Sequence, residues 1–288
     1  MKREALQMLT FNSQDAEKAE CVVESLAKTI RKKLGRQRCG RPRANLCFVI
    51  CGIIFYARYN CGWEHIPSIF GKGKTLYGWF RRLVKIGFFL SVWMEILRLL
   101  QQTGRVNFKR LKVDGSLVQA SGGGALAVST PRNHNKRSLN RGVAVEGNGV
   151  PIALKIVPGS THDSQFFAPL FASAVVNTEL QPGFYLHADK GFDALWIRMI
   201  ISNAGGHAQI PVRNHGFTIP YRQGKDSFRW QIEQSHSWTN RFRALKNIFS
   251  SRPDCIYELH HLVFALICSR KLRCCDLKRA AARGFSEF

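Results

Sequence analysis

Apolar positions recur with two different periods along the chain, and the change falls near residue 105. From 46 to about 100 the spacing is helical. The stretch LCFVICGIIFYARY predicts a buried helix, closed by Asn60, Cys61 and Gly62. Trp63, Ile66 and Ile69 predict a short helix beside Pro67. Residues 74–82 predict a third helix with one apolar and one basic face. A fourth, over 88–100, carries Val92, Ile96 and Leu99 as a stripe. Beyond 105 the pattern shortens to that of strands. Segments 108–118, 141–146, 152–157, 183–188 and 208–212 predict five of them. Glu146, Gly147, Asn148 and Gly149 predict the hairpin turn between the second and third. Residues 194–203 predict a helix with Leu195, Met199 and Ile200 inward. Residues 227–248 predict a long helix and 257–272 a last apolar one. Three strands in a meander, then strands alternating with helices, indicate an α/β domain with a mixed sheet.

The expected organisation is a basic lead segment over 1–45, a small all-α module over 46–105, the α/β domain over 106–272 and a basic tail over 273–288. The first twenty-odd residues are polar and only weakly helical in pattern.

Charge narrows the partner. The 288 residues hold 43 Lys+Arg against 19 Asp+Glu, a formal net charge of +24. At 45% hydrophobic the chain is too apolar for a disordered polycation. A folded protein this basic fits a polyanion, with nucleic acid first and an anionic membrane second. The longest apolar run, 46–57, falls short of the roughly 20 residues a membrane span requires, which removes the membrane as a partner. The cysteines number nine, an odd count, with no CxxC and no apolar leader, so a reducing cytoplasmic setting is expected. His260, His261, Cys268, Cys274 and Cys275 fit no standard zinc spacing. Gly122, Gly123 and Gly124 are not followed by Gly-Lys-Ser/Thr, so no nucleotide or other small-molecule cofactor is expected. Arg31, Lys32, Lys33, Arg36, Arg38, Arg41 and Arg43 suit a phosphate-contacting arm or a solvated linker equally. Arg81 and Arg82 lie on the basic face of the third helix, where a helical module would meet a DNA groove.

Acids are scarce, so their places are informative. Asp114 lies inside the first strand, where a carboxylate is costly unless a cation compensates it. Asp189 follows the strand YLHA and precedes Lys190, at the kind of strand end where open α/β sheets place their sites. Glu233 lies on the long helix, four residues after Arg229. Three such carboxylates can converge on a pair of Mg²⁺ or Mn²⁺ ions, the apparatus of phosphoryl transfer on DNA. Spacing alone does not single out this trio. Lys190, Arg229 and Arg241 are candidate phosphate contacts. His162 and Asp163 read either as a pair supporting the metal site or as a helix cap, and Asp193 as a helix cap. Trp230 and Trp238 read as helix-packing residues, with stacking on a base the alternative.

The wording around these acids is more specific than their spacing. VDGSLVQASGGG, GNGVPIALKIVPGSTHDS, HADKGFD and RWQIEQSHSWTNRFRAL resemble the DDE transposases of bacterial insertion sequences, of the insertion-sequence-five type. NCGWEHIPSIFGKGKTLYGWFRRLVKIGFF resembles their amino-terminal region, and the blocks together cover 45–270. The resemblance implies an RNase H-like catalytic domain in which Asp114, Asp189 and Glu233 bind two metal ions. It implies double-stranded DNA as partner, both element ends and target, and a homodimer on DNA, in the cytoplasm with the nucleoid. Arg229 and Glu233 match the family's Arg-x-x-x-Glu. Its tyrosine falls on Asp226, its lysine on Asn240, and its Arg-Tyr-Glu on Asn247, Ile248 and Phe249. A stand-alone metal-dependent nuclease and an inactive DNA-binding remnant are the alternatives the sequence leaves open.

Overall fold

The computed structural model describes residues 13–34, 44–212, 229–273 and 275–276. Arg41 and Arg43 of the basic arm lie outside the described residues. In chain order the helices are α1 (Ser13–Leu34), α2 (Leu46–Tyr59), α3 (Gly73–Lys85), α4 (Phe88–Gln102), α5 (Phe167–Thr178), α6 (Leu195–Asn203), α7 (Arg229–Asn240), α8 (Arg243–Lys246) and α9 (Pro253–Ser269). The strands are β1 (Arg110–Gln119), β2 (Val128–Ser129), β3 (Arg137–Glu146), β4 (Pro151–Pro158), β5 (Tyr185–Ala188) and β6 (His207–Gln209). No described helix is long and apolar enough to cross a membrane. The chain divides into two compact units, residues 1–103 with 241–245 and 254–288, and residues 104–240 with 246–253.

The first unit is helical. The polar residues at the start conceal a helix, since α1 buries Cys21, Val22, Val23, Leu26, Ala27 and Ile30 at helical spacing. α2 starts where the Asn45 side chain accepts the Cys47 N–H at 3.0 Å. It ends at Asn60, which takes the left-handed conformation at φ 55°. α3 buries Leu76, Trp79, Phe80, Leu83 and Val84 and exposes Lys74, Arg82 and Lys85. α9 packs into this unit. Gly87, at the head of α4, has no side chain with which to cap the helix. Buried Glu258 of α9 instead accepts the Phe89 N–H at 2.9 Å. His261 joins Glu258 at 2.9 Å, and its ring stacks on Trp93 with centroids 5.4 Å apart.

The second unit is a mixed sheet in the order β2-β3-β1-β5-β6, with β4 also paired to β3. β1 runs antiparallel to β3 and parallel to β5, β3 antiparallel to β4, and β5 parallel to β6. The β3–β4 turn is the expected hairpin. Buried Glu146 closes it by accepting the N–H groups of Asn148 at 2.8 Å and Val150 at 2.9 Å. Alternation of side chains gives the sheet two different faces. On one, Gly115 and Gly142 are register partners, and the space their missing side chains leave is filled by Asp163 and Phe166. On the other, Asp114, Arg141 and Val143 lie towards α7.

The three glycines after β1 serve the backbone. The segment after α8 runs beside them: Ile248 N–H bonds Gln119 O at 2.8 Å, and Gly122 N–H bonds Ile248 O at 3.0 Å. A Cβ on Gly122 would lie 1.8 Å from Phe249 O, and one on Gly124 would lie 2.3 Å from Ser251 O. The loop is therefore a docking edge for residues 247–251, not a phosphate cradle.

Candidate active site

Two of the three expected acids are set side by side by strand register. Val113 pairs with Ala188 in the parallel β1–β5 ladder, so one further step on each strand brings Asp114 beside Asp189. Backbone amides orient both. Asp114 Oδ1 accepts the Gly115 N–H at 2.9 Å, and Asp189 Oδ1 accepts the Gly191 N–H at 2.7 Å as it caps the turn that follows. The Asp114 side chain is 31% exposed, buried enough to be held and open enough to be reached.

α7 covers the Asp114 face of the sheet. Glu233 is exposed one turn before His236. His236 Nε2 lies 3.5 Å from Asp114 Oδ2, longer than an ordinary hydrogen bond. On its other side His236 Nδ1 lies 3.4 Å from Arg141 Nη2, which also donates to Asn240 Oδ1 at 3.0 Å. Burial lowers the His236 pKa and nearby Arg141 lowers it further. The Asp114 and Glu233 carboxylates pull it upward but do not prevail. Burial alone pulls the Arg141 pKa down to about 10.

The donor chemistry suits a hard divalent cation, since carboxylate oxygens are the ligands Mg²⁺ and Mn²⁺ prefer. Among the described residues, however, no three His, Cys, Asp or Glu side chains are already gathered to hold one. In this structure Glu233 does not complete the site that Asp114 and Asp189 begin.

Other acids of the unit have structural tasks. Glu146 closes the hairpin, and Asp193 binds Arg198 at 2.7 Å. His162 and Asp163 are not beside Asp114. Asp163 Oδ1 accepts from Asn140 at 2.7 Å on the opposite face of the sheet, and His162 caps the short helical turn that begins at Asp163. Of the two readings of this pair, these contacts are those of the cap. Gly115 and Gly142 draw the loop onto that other face. Arg81 is bonded to Asp254 at 3.0 Å, so of the two arginines on α3 it is Arg82 that is exposed. Lys190 and Arg241 are exposed, and Arg229 opens α7. Trp230, read from sequence as a packing residue, is 54% exposed. His236 and Arg141 escape a reading of the sequence. Their only signals are a histidine three residues after Glu233, on the same helix face, and an arginine that opens the apolar half of β3.

A six-stranded mixed sheet, with β3 antiparallel and β5 parallel to the central β1, is an RNase H-like arrangement. A family model described as "Transposase DDE domain" matches residues 109–267, and one described as "Putative transposase of IS4/5 family" matches 23–93. The chain belongs to the DDE transposases of IS4/5-type insertion sequences. It is 26% identical over 153 residues to "Putative transposase for insertion sequence element IS402" of Burkholderia cepacia, covering 51% of this chain and 70% of that one. A piggyBac transposase chain in a synaptic complex with hairpin DNA aligns over 99% of this chain and 79% of its own, at 8% identity and TM-score 0.47. A Mos1 strand transfer complex aligns over 84% of each chain, at 12% identity and TM-score 0.30. With both scores below 0.5, the fold rests on the strand order and the family match.

Proposed function

We propose that this transposase binds the terminal inverted repeats of its insertion sequence and cuts and joins DNA at Asp114, Asp189 and Glu233. The observation that carries the reading is the β1–β5 register, whose last pair, Val113 with Ala188, immediately precedes Asp114 and Asp189, while Glu146, Asp163 and Asp193 serve the fold. These carboxylates would hold two Mg²⁺ or Mn²⁺ ions, which when bound activate the attacking oxygen and stabilise the leaving one. The protein's own part is placement. The amides of Gly115 and Gly191 fix the two aspartates, and α7 carries Glu233, which would join them when metal and DNA are bound. Water is the first nucleophile at the element end, and the freed 3′-OH is the second, attacking target DNA in line. No covalent protein intermediate is required, so no Ser or Tyr nucleophile is assigned.

Arg82 on α3, with Arg229, Arg241 and Lys190, is assigned to phosphates, and so are Arg41 and Arg43 of the arm. Arg81 carries less of this load because Asp254 engages it. Two ends must be joined, so the working form is a homodimer on DNA. The test is metal dependence on a labelled element-end duplex. Cleavage is expected with Mg²⁺ or Mn²⁺, absent with EDTA, and restored when excess metal is returned. Cleavage that persists in EDTA would remove the carboxylate assignment.

A further inference from the structure

Arg141 is a costly residue as a purely structural element. It is fully buried, and its Nε and Nη1 find no hydrogen-bond partner among the described residues. A buried cation without a carboxylate against it weighs against the fold, and replacing such a group by an apolar side chain of similar volume is often neutral or stabilising. Its one organised end is Nη2, which reaches Asn240 Oδ1 at 3.0 Å and His236 Nδ1 at 3.4 Å. A guanidinium only donates, so His236 Nδ1 must accept. The other ring nitrogen, Nε2, faces Asp114 Oδ2 at 3.5 Å.

We infer that Arg141 is a positioning residue, which acts through His236 to fix the tilt of the ring against Asp114 and so the direction in which that carboxylate is presented. The inference rests on the reading of Asp114 as a metal-binding residue. Both ends of the relay lie on one sheet face, because Asp114 and Arg141 alternate in phase on β1 and β3 and α7 covers them. Asn240 supplies the oxygen that holds the guanidinium in place; a lysine there would put a second cation beside it. Arg141 with Asn240 is therefore a matched pair in this chain. Partners one step behind a metal-binding side chain typically change affinity or activity by about 10–100-fold when lost.

The test uses the full chain carrying Arg141→Met, His236→Ala and the two together. It reads three quantities: thermal unfolding, Mn²⁺ affinity by electron paramagnetic resonance without DNA, and end cleavage. Arg141→Met is expected to melt at or above the unsubstituted temperature. It should bind Mn²⁺ and cleave about 10–100-fold less well. The double variant should lose no more than His236→Ala alone, because one relay is broken in both. Normal Mn²⁺ affinity in Arg141→Met overturns the inference, and so do losses that multiply in the double variant. Should Arg141→Met prove insoluble, Asn240→Ala carries the same test, because it removes the guanidinium's anchor and leaves Arg141 in place. Asp114→Asn run alongside separates the two levels. If Asp114→Asn binds Mn²⁺ and cuts normally, the metal reading itself falls. If only the Arg141 variant behaves normally, the relay alone is wrong.

Discussion

Asp114→Asn is expected to lower end cleavage by at least about a thousandfold, about 4 kcal/mol of barrier, while leaving DNA binding within about twofold. The substitution keeps the side chain's size and its place in β1. It removes the negative charge and one of the two carboxylate oxygens, the features that make Asp114 a ligand for a hard cation. The neighbours are not disturbed, since Gly115 N–H can still donate to the amide oxygen. Phosphate binding depends on the basic side chains and is unaffected. The check is parallel: fluorescence anisotropy on an element-end duplex for binding, and denaturing electrophoresis for cleavage. Asp189→Asn should match it, because register places the two side by side.

The second large effect is on folding. Gly122→Ala is expected to cost about 3 kcal/mol or more, because its Cβ would lie 1.8 Å from Phe249 O and backbone must move to admit it. Two ladder bonds depend on that closeness, Gly122 N–H to Ile248 O and Ile248 N–H to Gln119 O. The adjacent Gly123 is the control. It sits at φ +75°, but a Cβ there meets only the end of Arg137, at 3.3 Å. Gly123→Ala should therefore cost only the left-handed backbone term, about 1 kcal/mol. Urea unfolding of the two variants separates them. Equal costs would show that residues 247–251 do not dock on this edge.

Sequence made the central sheet and the place of Asp114 on it legible because both depend on local pattern. Alternation marks β1 and β3, Asn-Gly marks their partner's hairpin, and Asp114 stands out against an apolar strand. Where several local patterns were equally good, the outcome was set by packing. In α6, Leu195 with Met199 and Ile197 with Ile201 have the same helical spacing. The structure buries Ile197 and Ile201 and leaves Leu195 72% and Met199 55% exposed, the reverse of the expectation for Leu195 and Met199. α5 has no polar face to give a period and was not marked by sequence; it follows the loop that Gly115 and Gly142 admit to the sheet. The single long helix expected over 227–248 is two, α7 and α8. By Ile248 the backbone bonds β1, which a helical residue cannot do. α1 was weak in sequence because charged residues are spread along its length. The relay from Arg141 to Asp114 spans three elements, so no window of sequence contains it.

The central claim is that this protein joins DNA as well as cutting it. The most direct measurement incubates the purified full chain, Mg²⁺, a labelled duplex ending in a pre-cut 3′-OH at the element end, and a supercoiled plasmid. The account predicts label covalently attached to plasmid DNA, dependent on the element-end sequence and lost with Asp114→Asn. Nicked or linearised plasmid with no attached label would contradict it and leave a metal-dependent nuclease in its place.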